Sequence, residues 1–171
     1  MILITSLVLT AAASSTPPLE AIWKAEISRQ RPAAFSDWAQ SPNAETRAAA
    51  ARSLGRLRHS EARDSLELLL QDPSPMVRAE AAFALGLTPG GDAVLLADQN
   101  ETDPMVLART FDALGLHAQS EAVPWLIEGM TESESVSRAA AVALGRIGMA
   151  RKSSVDHPQI IRELIAALEI D

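Results

Sequence analysis

The stretch DPSPMVRAEAAFALG, residues 72–86, decides the fold. Its prolines, Pro73 and Pro75, fall at the start, where a helix's first turn leaves its N–H groups unpaired and a missing donor costs nothing. An apolar-rich helix follows. Val77, Ala81, Ala82, Ala84 and Leu85 fall on one broad stripe at 100° per residue. Gly86 then closes the pattern, and a left-handed cap is the expected ending there.

The same pattern occurs three more times. SPNAETRAAAARSLG (41–55), ETDPMVLARTFDALG (101–115) and TESESVSRAAAVALG (131–145) align with it without gaps. The closing glycines, Gly55, Gly86, Gly115 and Gly145, recur at spacings of 31, 29 and 30 residues. Leu54, Leu85, Leu114 and Leu144 share one late position, and Pro42 and Pro104 repeat the early proline. Thr46 is polar where Val77, Val106 and Val136 stand, so the first copy is the least regular there. A sustained period near thirty residues marks a repeat array.

Other helices lie between these. Residues 61–71 carry Leu66, Leu69 and Leu70 on one side, and 121–130 carry Val123, Leu126, Ile127 and Met130. Residues 33–39 place Phe35, Trp38 and Ala39 at the positions of Leu66, Leu69 and Leu70. The unit is therefore helix–turn–helix, and neither helix buries its stripe without stacked neighbours. The counterpart at 92–97 is short and is expected to be the weakest layer. Residues 19–30 are amphipathic through Leu19, Ile22, Trp23 and Ile27 and read as an N-terminal cap. Residues 158–170 carry Ile160, Ile161, Leu164, Ile165 and Leu168, like the first helix of a fifth repeat.

The expected architecture is all-α: a right-handed α-solenoid of about four to five helix–turn–helix repeats. It comprises the cap helix 19–30, repeats near 32–57, 61–88, 91–117 and 119–150, and a partial repeat at 157–171. An apolar final helix leaves an open C-terminal end. Either a partner covers it, or the chain is the front part of a longer protein.

The segment DPSPMVRAEAAFALG, with SLGRL (53–57) and ALGRIG (143–148), resembles the second-helix signature of short HEAT-like repeats, the phycobilisome-lyase type, over about residues 32–170. The resemblance implies protein–protein binding on a concave face. It also implies a ladder between an Asp and an Arg of each repeat. Asp72 and Arg78 match those positions, and so does Arg47, with Ser41 in place of its Asp. Leu107 and Ser137 stand where the next two arginines belong, and Arg138 comes one residue late. The ladder is expected to stop after the second repeat, with less regular stacking beyond it. Some relatives carry such repeats ahead of a peptidyl-prolyl isomerase domain, which these residues do not contain.

Composition agrees with packed helices. Of 171 residues, 47% are apolar and only 4% aromatic, with no Tyr. Much of the apolar share is Ala, which lets helices approach closely. Fifteen basic against 22 acidic residues give a net charge of −7. That balance argues against nucleic acid as a partner, since phosphate neutralisation supplies most of such affinity. The absence of Cys excludes disulfides, thiolate zinc sites and thiol nucleophiles.

Residues 1–13 read as a signal peptide. Ile2 to Leu9 is an apolar run and Ala11-Ala12-Ala13 offers small residues for cleavage before Ser14, although no Lys or Arg precedes the run. The run falls short of the roughly 20 apolar residues that span a bilayer, so no stable membrane span is expected after its removal. Residues 14–18 are then a short linker. The expected location is periplasmic or secreted, in a bacterial cell envelope. If residues 1–13 form a cap helix instead, the protein is cytoplasmic.

No catalytic constellation emerges. His59, His117 and His157 fall in turns or at a helix start, and none has a partner histidine at helical metal-site spacing. Asp98, Asn100 and Thr102 alternate, but no Gly turn or downstream Glu completes a calcium loop. Acidic turns at 98–103 and 131–135 read as solvated helix starts. No serine sits in a G-x-S-x-G setting, and Gly90-Gly91 is not followed by a phosphate-loop Lys. Neither a cofactor nor a metal is expected.

The remaining functional signal is a surface. Positions seven, six and three before each closing Gly lie off the stripe. They are Ala48, Ala49 and Arg52; Ala79, Glu80 and Phe83; Ala108, Arg109 and Asp112; and Arg138, Ala139 and Val142. Arg52, Glu80, Phe83, Arg109, Asp112, Arg138 and Val142 are the candidate protein-binding residues. Phe83, flanked by Arg52, Arg109 and Arg138, is either the anchor of this strip or a core residue. The expected function is a non-catalytic scaffold or adaptor for another protein. The alternative is a regulatory or substrate-presenting front segment of a longer enzyme, in an isomerase or lyase-like context. A homo-oligomer joined through the open C-terminal end is a further expectation.

Overall fold

A computed structural model describes residues 19–150 and residue 162. The readings of 1–13 as a signal, 14–18 as a linker and 157–171 as a partial repeat lie outside the described residues, as does His157. Among the described residues every regular element is helical.

The helices alternate between two layers. One layer holds α1 (Leu19–Ile27), α3 (Ala44–Leu57), α5 (Pro75–Leu85), α7 (Pro104–His117) and α9 (Glu134–Ala150). Each of these packs on the next in chain order. The other layer holds the shorter α2 (Ser36–Ala39), α4 (Arg63–Leu70), α6 (Gly91–Ala97) and α8 (Val123–Gly129), each packed on the long helix that follows it. The result is an α-solenoid, in which every unit buries its stripe against its neighbours. Leu54, Leu85, Leu114 and Leu144 are all fully buried. Thr46 occupies the same buried site as Val77, Val106 and Val136, so its polarity does not break the register.

Four equivalent residues precede the long helices: Asn43, Ser74, Asp103 and Ser133. All are good N-caps. The Asn43 side chain accepts from the Glu45 and Thr46 amides, and Asp103 accepts from Met105 and Val106. Pro75 and Pro104 are first helical residues, whereas Pro42 and Pro73 lie in the turns before the caps. Three short helices are entered through 3-10 turns, Pro32–Phe35, Ser60–Ala62 and Ser120–Ala122. The last two have the same sequence, SEA.

Four expectations need correction. The closing glycines are not left-handed caps. Gly55, Gly115 and Gly145 lie inside helices, and Gly86 has φ −61°. The helices run on, and Arg58 (φ 55°) and Ala118 (φ 51°) take the left-handed position. The glycines serve close approach instead. A β-carbon at Gly55, Gly86 or Gly115 would lie 2.5–2.7 Å from the nearest atom of Ala84, Ala113 or Ala143 on the next long helix.

The second correction concerns α1. Only Ile22 of its predicted stripe is buried, while Leu19, Trp23 and Ile27 are exposed. Among the described residues, the main packing partner of α1 is α3.

Third, the Arg ladder runs one rung further than expected, as described below. Fourth, stacking does not lapse beyond the ladder, because the Gly115–Ala143 contact repeats the Gly55–Ala84 contact. α6 is a thinner layer than α4 or α8. Leu95 is its one fully buried large side chain, against three buried leucines on α4.

Candidate functional site

Two polar systems cross the repeats. The first is the ladder, at the N-terminal ends of the long helices. Arg47 donates from Nε to Asp72 Oδ2 (2.6 Å) and from Nη2 to Oδ1 (2.8 Å). Its Nη1 caps the Ser41 carbonyl at 2.8 Å. One repeat on, Arg78 donates from Nη1 to the Asp72 carbonyl (2.9 Å) and from Nε to Glu101 Oε2 (2.7 Å). Glu101 stands where Asp72 stands in the aligned segments, so a longer acid fills the same role. The Arg47 hydrogen bond holds the Asp72 carboxyl below its ordinary value, against the effect of burial, and the Ser74 amide and the Arg78 charge add to it. Burial pushes Glu101 upward, but the bonds from Arg78 and from the Asp103 and Thr102 amides outweigh it, so its net shift is also downward.

A polar cleft of about 290 Å³ adjoins the ladder, lined by residues including Asp72, Arg78, Asp98 and Glu101. Its carboxylates are engaged: Asp72 by Arg47, Glu101 by Arg78, and Asp98 by Gln71 Nε2 at 2.9 Å. The arrangement holds charges still and presents no free base or nucleophile. His117 is equally structural. It ends α7, and its Nε2 donates to the Gly86 carbonyl of the previous repeat at 2.7 Å. Among the described residues, no group of three or more acidic, His or Cys side chains could hold a metal ion.

The second system lies on the long-helix layer and contains the predicted strip. Arg52 on α3 forks onto Glu80 on α5, with Nε–Oε2 3.1 Å and Nη2–Oε1 2.9 Å. Arg109 on α7 brings Nη2 within 3.8 Å of the same Oε1. Its guanidinium lies 4.8 Å over the Phe83 ring, a cation–π contact. Phe83 is half-buried and does not belong to the core cluster, unlike Phe35 and Phe111. It is a surface residue held under Arg109.

Four of the seven predicted residues thus converge: Arg52, Glu80, Phe83 and Arg109. Asp112 is half-buried, and its carbonyl accepts from Arg146 Nη1 at 3.4 Å. Arg138 and Val142 are exposed on α9. Arg138 does not flank Phe83, because α7 lies between α5 and α9.

Sequence reasoning missed the N-terminal end of this system. Glu26 on α1 accepts from Ser53 Oγ at 2.7 Å and from Arg56 Nη1 at 3.2 Å. No local motif marks this pair, whose members stand 30 residues apart.

Residues 32–98 match the family of HEAT repeats. The chain is also similar to the crystal structure of an engineered protein, a structural-genomics target. The identity is 25% and the TM-score 0.54, over 95% of this chain and 87% of that one. No curated protein matches. Among the described residues, no helix is long and apolar enough to cross a membrane.

Proposed function

We propose that the chain is a non-catalytic scaffold that binds another protein on its long-helix layer. The observation that carries this reading is the Arg52–Glu80–Arg109–Phe83 cluster. It crosses three successive repeats on the surface, and its aromatic ring lies outside the core cluster. HEAT repeats generally mediate protein interaction, and Arg and aromatic side chains are common interface anchors. The period near thirty residues supports the phycobilisome-lyase type as the finer family reading. The apolar run at residues 2–9 supports export to the periplasm or medium.

The test is affinity capture from the native extract, using the chain from Ser14 onward. A variant carrying Arg52→Ala, Phe83→Ala and Arg109→Ala is expected to lose the captured protein while keeping its helical circular dichroism. Leu68→Ser, on the exposed side of α4, is expected to keep it. Equal capture by the triple variant and the wild type refutes the assignment of this face.

A further inference from the structure

We infer that the long-helix surface takes a peptide segment with an acidic centre and apolar ends, donated by a partner protein; this rests on the scaffold reading above. The contacts form one continuous track. Trp23 lies one turn before Glu26 on α1, and Glu26 binds Arg56 of α3. Arg52 lies one turn before Arg56 and binds Glu80 of α5, which meets Arg109 of α7 beside Phe83.

The track's charges are layered. Its carboxylates lie deep, with Glu80 13% and Glu26 18% exposed, whereas Arg52, Arg56 and Arg109 are 47%, 55% and 40% exposed. A guanidinium carries five N–H donors. Arg52 gives Glu80 only its Nε and one Nη2 bond, and Arg56 gives Glu26 bonds from Nη1 alone. Arg109 stays 3.8 Å from Glu80, beyond hydrogen-bond reach. The outward donors of a chain with net charge −7 therefore offer forks to an incoming carboxylate. Two carboxylates lie beneath these three arginines, so the contact network itself carries a single excess positive charge. That suits one or two carboxylates and not a polyphosphate or a charged membrane, whose binding scales with the number of cations engaged.

The apolar component is also exposed. Leu19 and Trp23 are 54% and 57% exposed and share the face of Glu26 at i, i+4 and i+7 spacing. Phe83 supplies an aromatic wall at the other end. Long helices pack about 8–10 Å apart, so a track over four of them is roughly 25–30 Å long. About eight or nine residues of extended chain span that distance.

The probes are three fluorescein-labelled nine-residue peptides with Leu near one end and Phe near the other, and a centre of Glu, of Lys or of Ser, together with phosphatidylglycerol vesicles. Fluorescence anisotropy is expected to give at least tenfold tighter binding for the Glu peptide than for the other two, weakening with added salt. Trp23 emission is expected to shift to the blue, and Trp23→Phe is expected to abolish that shift. The variant R52Q/R109Q keeps donors to Glu80 and is expected to lose the Glu preference. If it does not fold, R56Q alone is expected to reduce that preference. Equal binding of all three peptides, binding to vesicles without peptide binding, or no peptide binding at all overturns the inference. If no peptide binds but capture still depends on Phe83 and Arg109, only the peptide chemistry fails. If capture does not depend on them, the scaffold reading fails as well.

Discussion

Gly55 and Ala84 meet across the α3–α5 boundary so closely that a β-carbon on residue 55 would lie 2.6 Å from the Ala84 α-carbon. The contact is to backbone, so it cannot be relieved by a side-chain rotation. Gly115 makes the same approach to Ala143 at 2.7 Å, while Gly145 has nothing within 4 Å among the described residues. All three lie inside helices, where Ala is intrinsically favoured over Gly by about 1 kcal/mol. Substitution by Ala should therefore have opposite signs. Gly55→Ala and Gly115→Ala are expected to lower stability by about 1–3 kcal/mol through overpacking. Gly145→Ala is expected to be neutral or to stabilise by up to about 1 kcal/mol. Urea melts of the three variants check this, and a stabilised Gly55→Ala would remove the close-approach explanation.

The Arg47–Asp72 pair predicts acid sensitivity. Asp72 has a folded pKa below its ordinary 3.8. Its contribution is fully present above that ordinary value and is lost as pH falls through the depressed one. Glu101 acts in the same direction. Asp72→Asn is expected to cost about 3 kcal/mol at pH 7, because it leaves Arg47 with an uncompensated and largely buried charge. It is also expected to flatten the fall in stability between pH 5 and the acid limit. Urea midpoints measured across that range settle it; an unchanged slope would mean that the pair does not govern the acid limb.

Phe83 and Phe111 should separate binding from folding. Phe111 is 1% exposed and meets Trp125 edge-on at 5.1 Å, and Gly129 lies directly against its ring. Phe111→Ala is expected to cost about 3–5 kcal/mol. Phe83→Ala, which removes a half-buried ring outside the core, is expected to cost about 1 kcal/mol or less. Thermal melts compare the two directly. A Phe83→Ala loss as large as that of Phe111→Ala would return Phe83 to the core.

The repeat was readable because its period reports a physical requirement. Leu54, Leu85, Leu114 and Leu144 must all be buried, so they recur in register. The glycines recur too, but for close packing and not for capping. A glycine after an apolar stripe looks like a cap, and only tertiary packing reveals that Ala84, Ala113 and Ala143 need its missing side chain. The extra ladder rung was present in the alignment, with Glu101 under Asp72. A pattern that demands Asp does not detect it, although Glu carries the same charge on a longer arm. The Glu26–Arg56 link carried no local signal, since it depends on how α1 sits against α3. Four strip residues came together because spacing on a helix fixes direction. Arg138 did not, because spacing alone does not say how many helices intervene.

The proposed export makes a prediction at the N-terminus. The small residues Ala11-Ala12-Ala13 after the apolar run favour cleavage before Ser14. Expression with the full N-terminus in a bacterial host is expected to yield a periplasmic or secreted chain beginning at Ser14, read by N-terminal sequencing. A chain recovered from the cytoplasm with residues 1–13 intact would favour their reading as a cap helix.

Hydrogen exchange should find α6 before α4 or α8. Regions open according to how much apolar surface holds them shut. α6 has seven residues, enters through Gly90 at φ 75° without a side-chain cap, and buries one large side chain, Leu95. α4 has Leu66, Leu69 and Leu70 in the core, and α8 has Val123 and Leu126. The amides of residues 92–98 are therefore expected to exchange faster than those of α4 or α8 under native conditions. The ladder pins both sides of this layer through Arg78 and Glu101. Glu101→Gln should thus speed exchange in α6 more than in α4 or α8. If the acceleration were uniform across all three helices, the opening would be global and α6 would not be a separate weak layer.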